Sequence, residues 1–162
     1  MADKYNVLLA DDDEDDRFLL KSVFDTYWPD CEVRFAVDGV ELLETLGQSD
    51  RHPDLILLDL NMPRMDGFSA LEHIRNSAFT RTIPVVMFTT SSAPDHIHRA
   101  YELGANSFVT KPSNYRELVS VLTDLRTSWL PGPRAIALPA QILSGGRRLL
   151  PTAAVPESPS TT

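Results

Sequence analysis

At 162 residues the chain can form one domain with a buried core, and its formal net charge of −8 has the wrong sign for a basic nucleic-acid-binding face or for attraction to anionic lipid. The 43% hydrophobic and 23% charged residues are an ordinary globular composition. The lone Cys31 excludes an internal disulfide, and the first residues hold neither a basic leader nor a span of about 18 apolar residues, so a cytoplasmic protein with no membrane contact is expected.

In chain order, five short apolar runs read as strands: residues 5–10 (YNVLLA), 32–37 (EVRFAV), 55–60 (LILLDL), 83–88 (IPVVMF) and 106–110 (NSFVT). Several lack alternation, as parallel strands buried on both faces do. The intervening segments read as helices. The first carries Leu20, Val23, Phe24 and Tyr27 at helical spacing; the second, after Gly39, carries Val40, Leu43 and Leu46; the third, after Gly67, carries Phe68, Leu71 and Ile74. The fourth opens at SSAPD, with Ser92 as candidate N-cap and Pro94 in the first turn, carries Ile97, Ala100 and Tyr101, and stops at Gly104. The fifth presents Leu118, Leu122, Leu125 and Trp129 as one stripe. Five alternations imply an α/β fold with a parallel sheet and right-handed crossovers, in which ligands sit at the carboxyl ends of the strands.

Chemistry gathers at those ends. Asp11 and Asp12 follow the first strand, Asp59 ends the third, Thr89 and Thr90 end the fourth, and Lys111 with Pro112 ends the fifth. Singly, such an Asp serves as a helix cap and a Lys–Pro pair as a loop. Together, three carboxylates in one crevice repel one another, and a divalent cation relieves that repulsion. All-oxygen ligation suits Mg²⁺. Asp13 to Asp16 read instead as an acidic first helical turn, each worth about 0.3–1 kcal/mol against the helix dipole. His52, His73, His96 and His98 read as surface residues.

Four motifs then bring a family into view: Asp11–Asp12, DLNMPRMDG at 59–67, TTSSA at 89–93 and FVTKP at 108–112. In order and spacing they resemble the receiver domains of bacterial two-component response regulators, over residues 4–129. The resemblance implies a doubly wound, flavodoxin-like sheet of order 2-1-3-4-5. It implies a phosphoacceptor signalling protein rather than an enzyme, with slow autodephosphorylation at most. Asp59 would accept a phosphoryl group from a sensor histidine kinase, and partner contacts would switch in response. Asp12, Asp59 and the Asn61 carbonyl would ligate Mg²⁺ directly, with Asp11 acting through water. Lys111 and Thr89 would bind the phosphoryl group, and Phe108 would turn inward as Thr89 moves, altering the face of the fourth helix, fifth strand and fifth helix. Asn61 and Ser91 occupy positions that tune attack by water. Thr90 is bulkier than the usual family residue, and Phe108 lacks the hydroxyl of the common Tyr. The DDDEDDRF opening looks like that of single-domain regulators serving phytochrome-type kinases.

Two rival classes are weaker. A haloacid dehalogenase-type Mg²⁺ phosphatase looks for Asp-x-Asp, and here the stretch is DLN. A flavin binder needs a Gly/Ser/Thr-rich phosphate cradle after the first strand, where this chain is acidic.

Composition shifts at WLPGPR, dividing a receiver domain at 1–130 from a Pro-rich arm or tail at 131–162. The tail holds three Arg and one Glu, a charge of +2, so residues 1–130 carry −8 minus +2, or −10. Within it, Ile136, Leu138, Ala140 and Ile142 alternate after Pro131–Gly132–Pro133, as in an extended arm that pairs with a second copy of the chain. The expectation is a homodimer that depends on residues beyond Pro133.

Overall fold

The computed structural model describes residues 4–130. Its elements are β1 (Tyr5–Ala10), α1 (Glu14–Tyr27), β2 (Cys31–Ala36), α2 (Gly39–Gln48), β3 (Leu55–Leu58), α3 (Gly67–Asn76), β4 (Val85–Thr89), α4 (Pro94–Glu102), β5 (Ser107–Thr110) and α5 (Tyr115–Trp129). Five parallel strands form one sheet in the order β2-β1-β3-β4-β5. Contacts divide the chain into two units, residues 1–111 and 112–162. The sheet lies wholly in the first. In the second, Asn114 caps α5 by accepting from the Glu117 N–H, and Leu118, Leu122 and Leu125 of the expected stripe are buried. The tail at 131–162, with the arm expected in it, lies outside the described residues.

β1, β3 and β4 are buried along their whole length, which explains their unbroken apolar runs. The outer strands β2 and β5 are only partly buried. Leu8, Ile56, Leu58, Val85 and Met87 join Leu71 and Ile74 of α3 in one core, each large side chain contributing about 1.5–3 kcal/mol by burial.

Register places the site. Ala10 lies opposite Leu58, so the next residues, Asp11 and Asp59, emerge side by side, and the Asp59 N–H donates to the Ala10 carbonyl at 3.0 Å. Thr89 lies opposite Thr110, and the Lys111 N–H donates to the Thr89 carbonyl at 2.7 Å.

Local chemistry sets the helix starts. Asp38 and Asp66 each cap a helix whose first residue is glycine, accepting from the Glu41 and Ser69 N–H groups. Two sequence expectations change. In α2 Leu46 is buried as expected, but Leu42 is the other buried large residue, while Val40 and Leu43 are half-buried. The N-cap of α4 is Ala93, not Ser92, and it has no side-chain cap bond. Ser91 takes over instead, its Oγ accepting from the Ala93 N–H at 3.3 Å. Pro94 stands in the first turn and Gly104 follows the C-cap at φ 105°, as read from the sequence. The Arg75 guanidinium donates to the Gly104 and Ile83 carbonyls and to Asn106 Oδ1, tying α3 to the turn before β5. Burial lowers its pKa from the usual arginine value.

Candidate functional site

The three carboxylates predicted to share a crevice do so. Asp11, Asp12 and Asp59 each offer an oxygen, and these atoms all lie within 4.8 Å of one another. Asp11 is buried and Asp12 exposed, while the Asp59 side chain keeps 10% of its surface open. Asp11 is turned inward. Its Oδ1 accepts from the Asp13 N–H at 2.9 Å and its Oδ2 from Lys111 Nζ at 2.6 Å. Burial pushes the Asp11 carboxyl above its usual range, against the hydrogen bond from Lys111. Asp59 Oδ1 accepts from the Leu60 N–H at 2.7 Å.

Lys111 reaches into this cluster from the end of β5. Its ammonium lies 2.6 Å from Asp11, 2.8 Å from Asp16 and 3.4 Å from Asp59. Burial opposes the charge, but the bonds to Asp11 and Asp16 outweigh it and raise the pKa above the usual lysine value. Asp16 is a departure from the sequence reading, which left it in a solvated helical turn. Asp13, read from the sequence as part of the first turn, instead caps α1 by accepting from the Asp16 N–H, and the acidic first turn is Glu14, Asp15 and Asp16.

Thr89 is fully buried at the end of β4, Thr90 is exposed, and the Ser91 N–H points to Thr89 Oγ1 at 3.4 Å. Phe108 is half-buried on β5 against the core. Of the histidines, His52, His73 and His98 are exposed, and His98 pairs with Glu102. His96 is half-buried, with Nδ1 2.7 Å from Ser91 Oγ and its ring edge-on to Phe68.

The loop from Asp59 to Gly67 is clamped from below, which sequence reasoning missed. Gly67 donates to the Leu60 carbonyl at 2.8 Å, and a Cβ there would stand 2.3 Å from the Asp59 carbonyl oxygen. At the far side, Arg64 sits at φ 64°, inside a tight turn in which the Met65 N–H donates to the Pro63 carbonyl. Its guanidinium grips the buried Asp38 carboxylate at 2.7 and 3.3 Å. Those hydrogen bonds, with that from the Glu41 N–H, hold Asp38 below the ordinary carboxylate range. The readable signal was the repeated Asp–Gly pair, 38–39 and 66–67, at two helix starts.

Three carboxylates, a buried hydroxyl and an ammonium thus stand at the carboxyl ends of parallel strands, a set whose chemistry suits phosphoryl transfer. The comparisons decide the family: the response regulator receiver domain matches residues 7–123. The chain belongs to the response regulator receivers. It is 34% identical over 149 residues to "Response regulator Rcp1" of Synechocystis sp. (strain PCC 6803), covering 86% of this chain and 99% of that protein. The solved structure of the phosphorylated cyanobacterial phytochrome response regulator RcpA superposes with a TM-score of 0.74 at 32% identity, covering 78% of this chain and 94% of that one. The Mn²⁺-bound form of Rcp1 superposes with a TM-score of 0.72 at 33% identity, covering 83% and 99%. This receiver is therefore a signalling protein of the two-component type, similar to single-domain regulators, and the phosphatase alternative has no support. No helix among its described residues is long and apolar enough to cross a membrane.

Proposed function

We propose that this receiver accepts a phosphoryl group on Asp59 from the phosphohistidine of a sensor kinase. The convergence of Asp11, Asp12 and the Lys111 ammonium on Asp59 carries the reading. An Asp59 carboxylate oxygen attacks phosphorus. The P–O bond forms as the P–N bond breaks, and the kinase imidazole leaves. Lys111 donates to the phosphoryl oxygens as their charge grows. The weakly held Thr89 hydroxyl turns to the new group, and Phe108 follows it, so that the change is read out at α4 and β5.

Crowded carboxylate oxygens, one of them on a buried Asp11 whose charge burial disfavours, are a donor set for a hard divalent cation. Asp12, Asp59 and the Asn61 carbonyl would hold Mg²⁺. Asp11, with both oxygens already accepting bonds, would act through water. Held there, the ion would supply positive charge against the incoming phosphoryl group. The Mn²⁺-bound relative supports a divalent ion here. The likeness to phytochrome regulators supports a phytochrome-type kinase as the donor. The role is that of a cytoplasmic phosphoacceptor with slow loss of phosphate. A homodimer built on residues past Pro133 completes the proposal; light scattering on a chain ending at Pro131 tests it.

Incubation with Mg²⁺ and acetyl phosphate, followed by peptide mapping in a mass spectrometer, is expected to place one phosphoryl group on Asp59. Chelation is expected to abolish it. Labelling that persists in Asp59→Asn would sink the assignment.

A further inference from the structure

Within the acidic run Asp11–Asp16, Asp16 carries a long-range bond that neither metal binding nor helix capping explains. Asp16, in the first turn of α1, places Oδ2 2.8 Å from Lys111 Nζ. An ammonium has three N–H donors. In this receiver all three face carboxylates, at 2.6 Å for Asp11, 2.8 Å for Asp16 and 3.4 Å for Asp59. The longest of the three is the one to the phosphoacceptor. Lys111 is 9% exposed at its side chain and Asp16 35%, so solvent only partly screens this pair.

From this we infer that Asp16 is a positioning residue that holds Lys111 back from Asp59 in the resting protein and so opposes the phosphorylated state. The inference rests on Asp59 being the phosphoacceptor. A phosphoryl group on Asp59 adds a charge of about −2 and three strong acceptor oxygens. The three donors of Lys111 already face carboxylates, so donating to these oxygens draws the ammonium away from Asp16 and weakens that bond. Asp11 already has a second donor in the Asp13 N–H, and its buried position keeps it near the lysine in either state. Asp16 makes no other side-chain bond among the described contacts, so Lys111 leaves it with water as the only replacement. The residue therefore sets how far the equilibrium lies towards the resting form.

Beryllium trifluoride, a mimic of the phosphoryl group on a carboxylate, reads this equilibrium without turnover. Its affinity is measured by NMR titration at saturating Mg²⁺. Asp16→Asn keeps the volume, and its backbone N–H can still reach the Asp13 cap. It is expected to bind the mimic about two- to five-fold more tightly, the range a partly exposed ion pair supports. Asp15→Asn removes the same charge from the same turn but touches no lysine, and is expected to match wild type. In a Lys111→Met background, Asp16→Asn is expected to lose its effect, which a double-mutant cycle quantifies. Unchanged or weaker binding in Asp16→Asn overturns the inference, as does an equal gain in Asp15→Asn. If wild type itself fails to bind the mimic, the phosphoacceptor reading falls, and this inference with it. If wild type binds but the variants do not differ, only the role of Asp16 is lost.

Discussion

Replacing Gly67 by alanine tests how the loop that follows Asp59 is held. The added Cβ would stand 2.3 Å from the Asp59 carbonyl oxygen and 2.9 Å from Leu60 Cα, whereas ordinary contact begins near 3.4 Å. The shortfall at the oxygen is about 1.1 Å, and both neighbours are backbone, so no side-chain rotation relieves it. Either α3 retreats or the end of β3 moves. Retreat breaks the bond from the Gly67 N–H to the Leu60 carbonyl, costing about 1 kcal/mol. Strain of this kind costs a further ~1–3 kcal/mol. The expected loss is therefore about 2–4 kcal/mol, read from urea denaturation. Movement of β3 also displaces Asp59, and a 1 Å error at a reacting group can lower a rate by about 100-fold. Gly47→Ala is the matched control. Its Cβ would meet nothing within 4 Å, and it lies within α2, so it should be neutral or stabilising by about 0.5–1 kcal/mol with phosphorylation unchanged. A Gly67→Ala protein as stable as wild type, phosphorylated at the same rate by acetyl phosphate, would refute the reasoning.

Lys111→Met leaves buried Asp11 facing Asp59 without its cation, and at pH 7 should lower stability by about 3–5 kcal/mol. Burial already raises the Asp11 pKa above 3.8, and losing Lys111 raises it further. A raised carboxyl takes up a proton in the folded state, so the deficit should shrink as pH falls from 7 towards that pKa, and also on adding Mg²⁺; a deficit that widens on acidification would contradict this. At Arg64, glycine accepts φ 64° freely and alanine does not, so Arg64→Gly should have the higher urea midpoint of the two. Both lose the grip that keeps Asp38 below 3.8, a contribution present above that pH and lost as pH falls through the depressed value. Their acid unfolding should therefore begin at higher pH than in wild type, and an unshifted acid limb would show that the ion pair does not hold Asp38.

Much of this protein is legible in its sequence. Unbroken apolar runs mark strands buried on both faces, and the period of 3.6 marks the helices, because these patterns follow from local geometry. The strand-end residues Asp11, Asp12, Asp59, Thr89 and Lys111 could be named as one site because a parallel sheet collects its carboxyl ends on one side, whatever the detail of packing. Short-range reading failed where two helix faces compete, as with Leu42 against Leu43, and where a cap comes from outside the helix, as with Ser91 ahead of α4. Only tertiary structure decided the long-range pairings. Lys111 stands 95 residues from Asp16, and Arg64 stands 26 from Asp38; no local period connects them. A charge in the first turn of a helix looks the same in sequence whether it faces water or an ammonium. The difference arises when β1, β3, β4 and β5 come into register and carry the end of β5 to the start of α1, which no stretch of the chain specifies by itself.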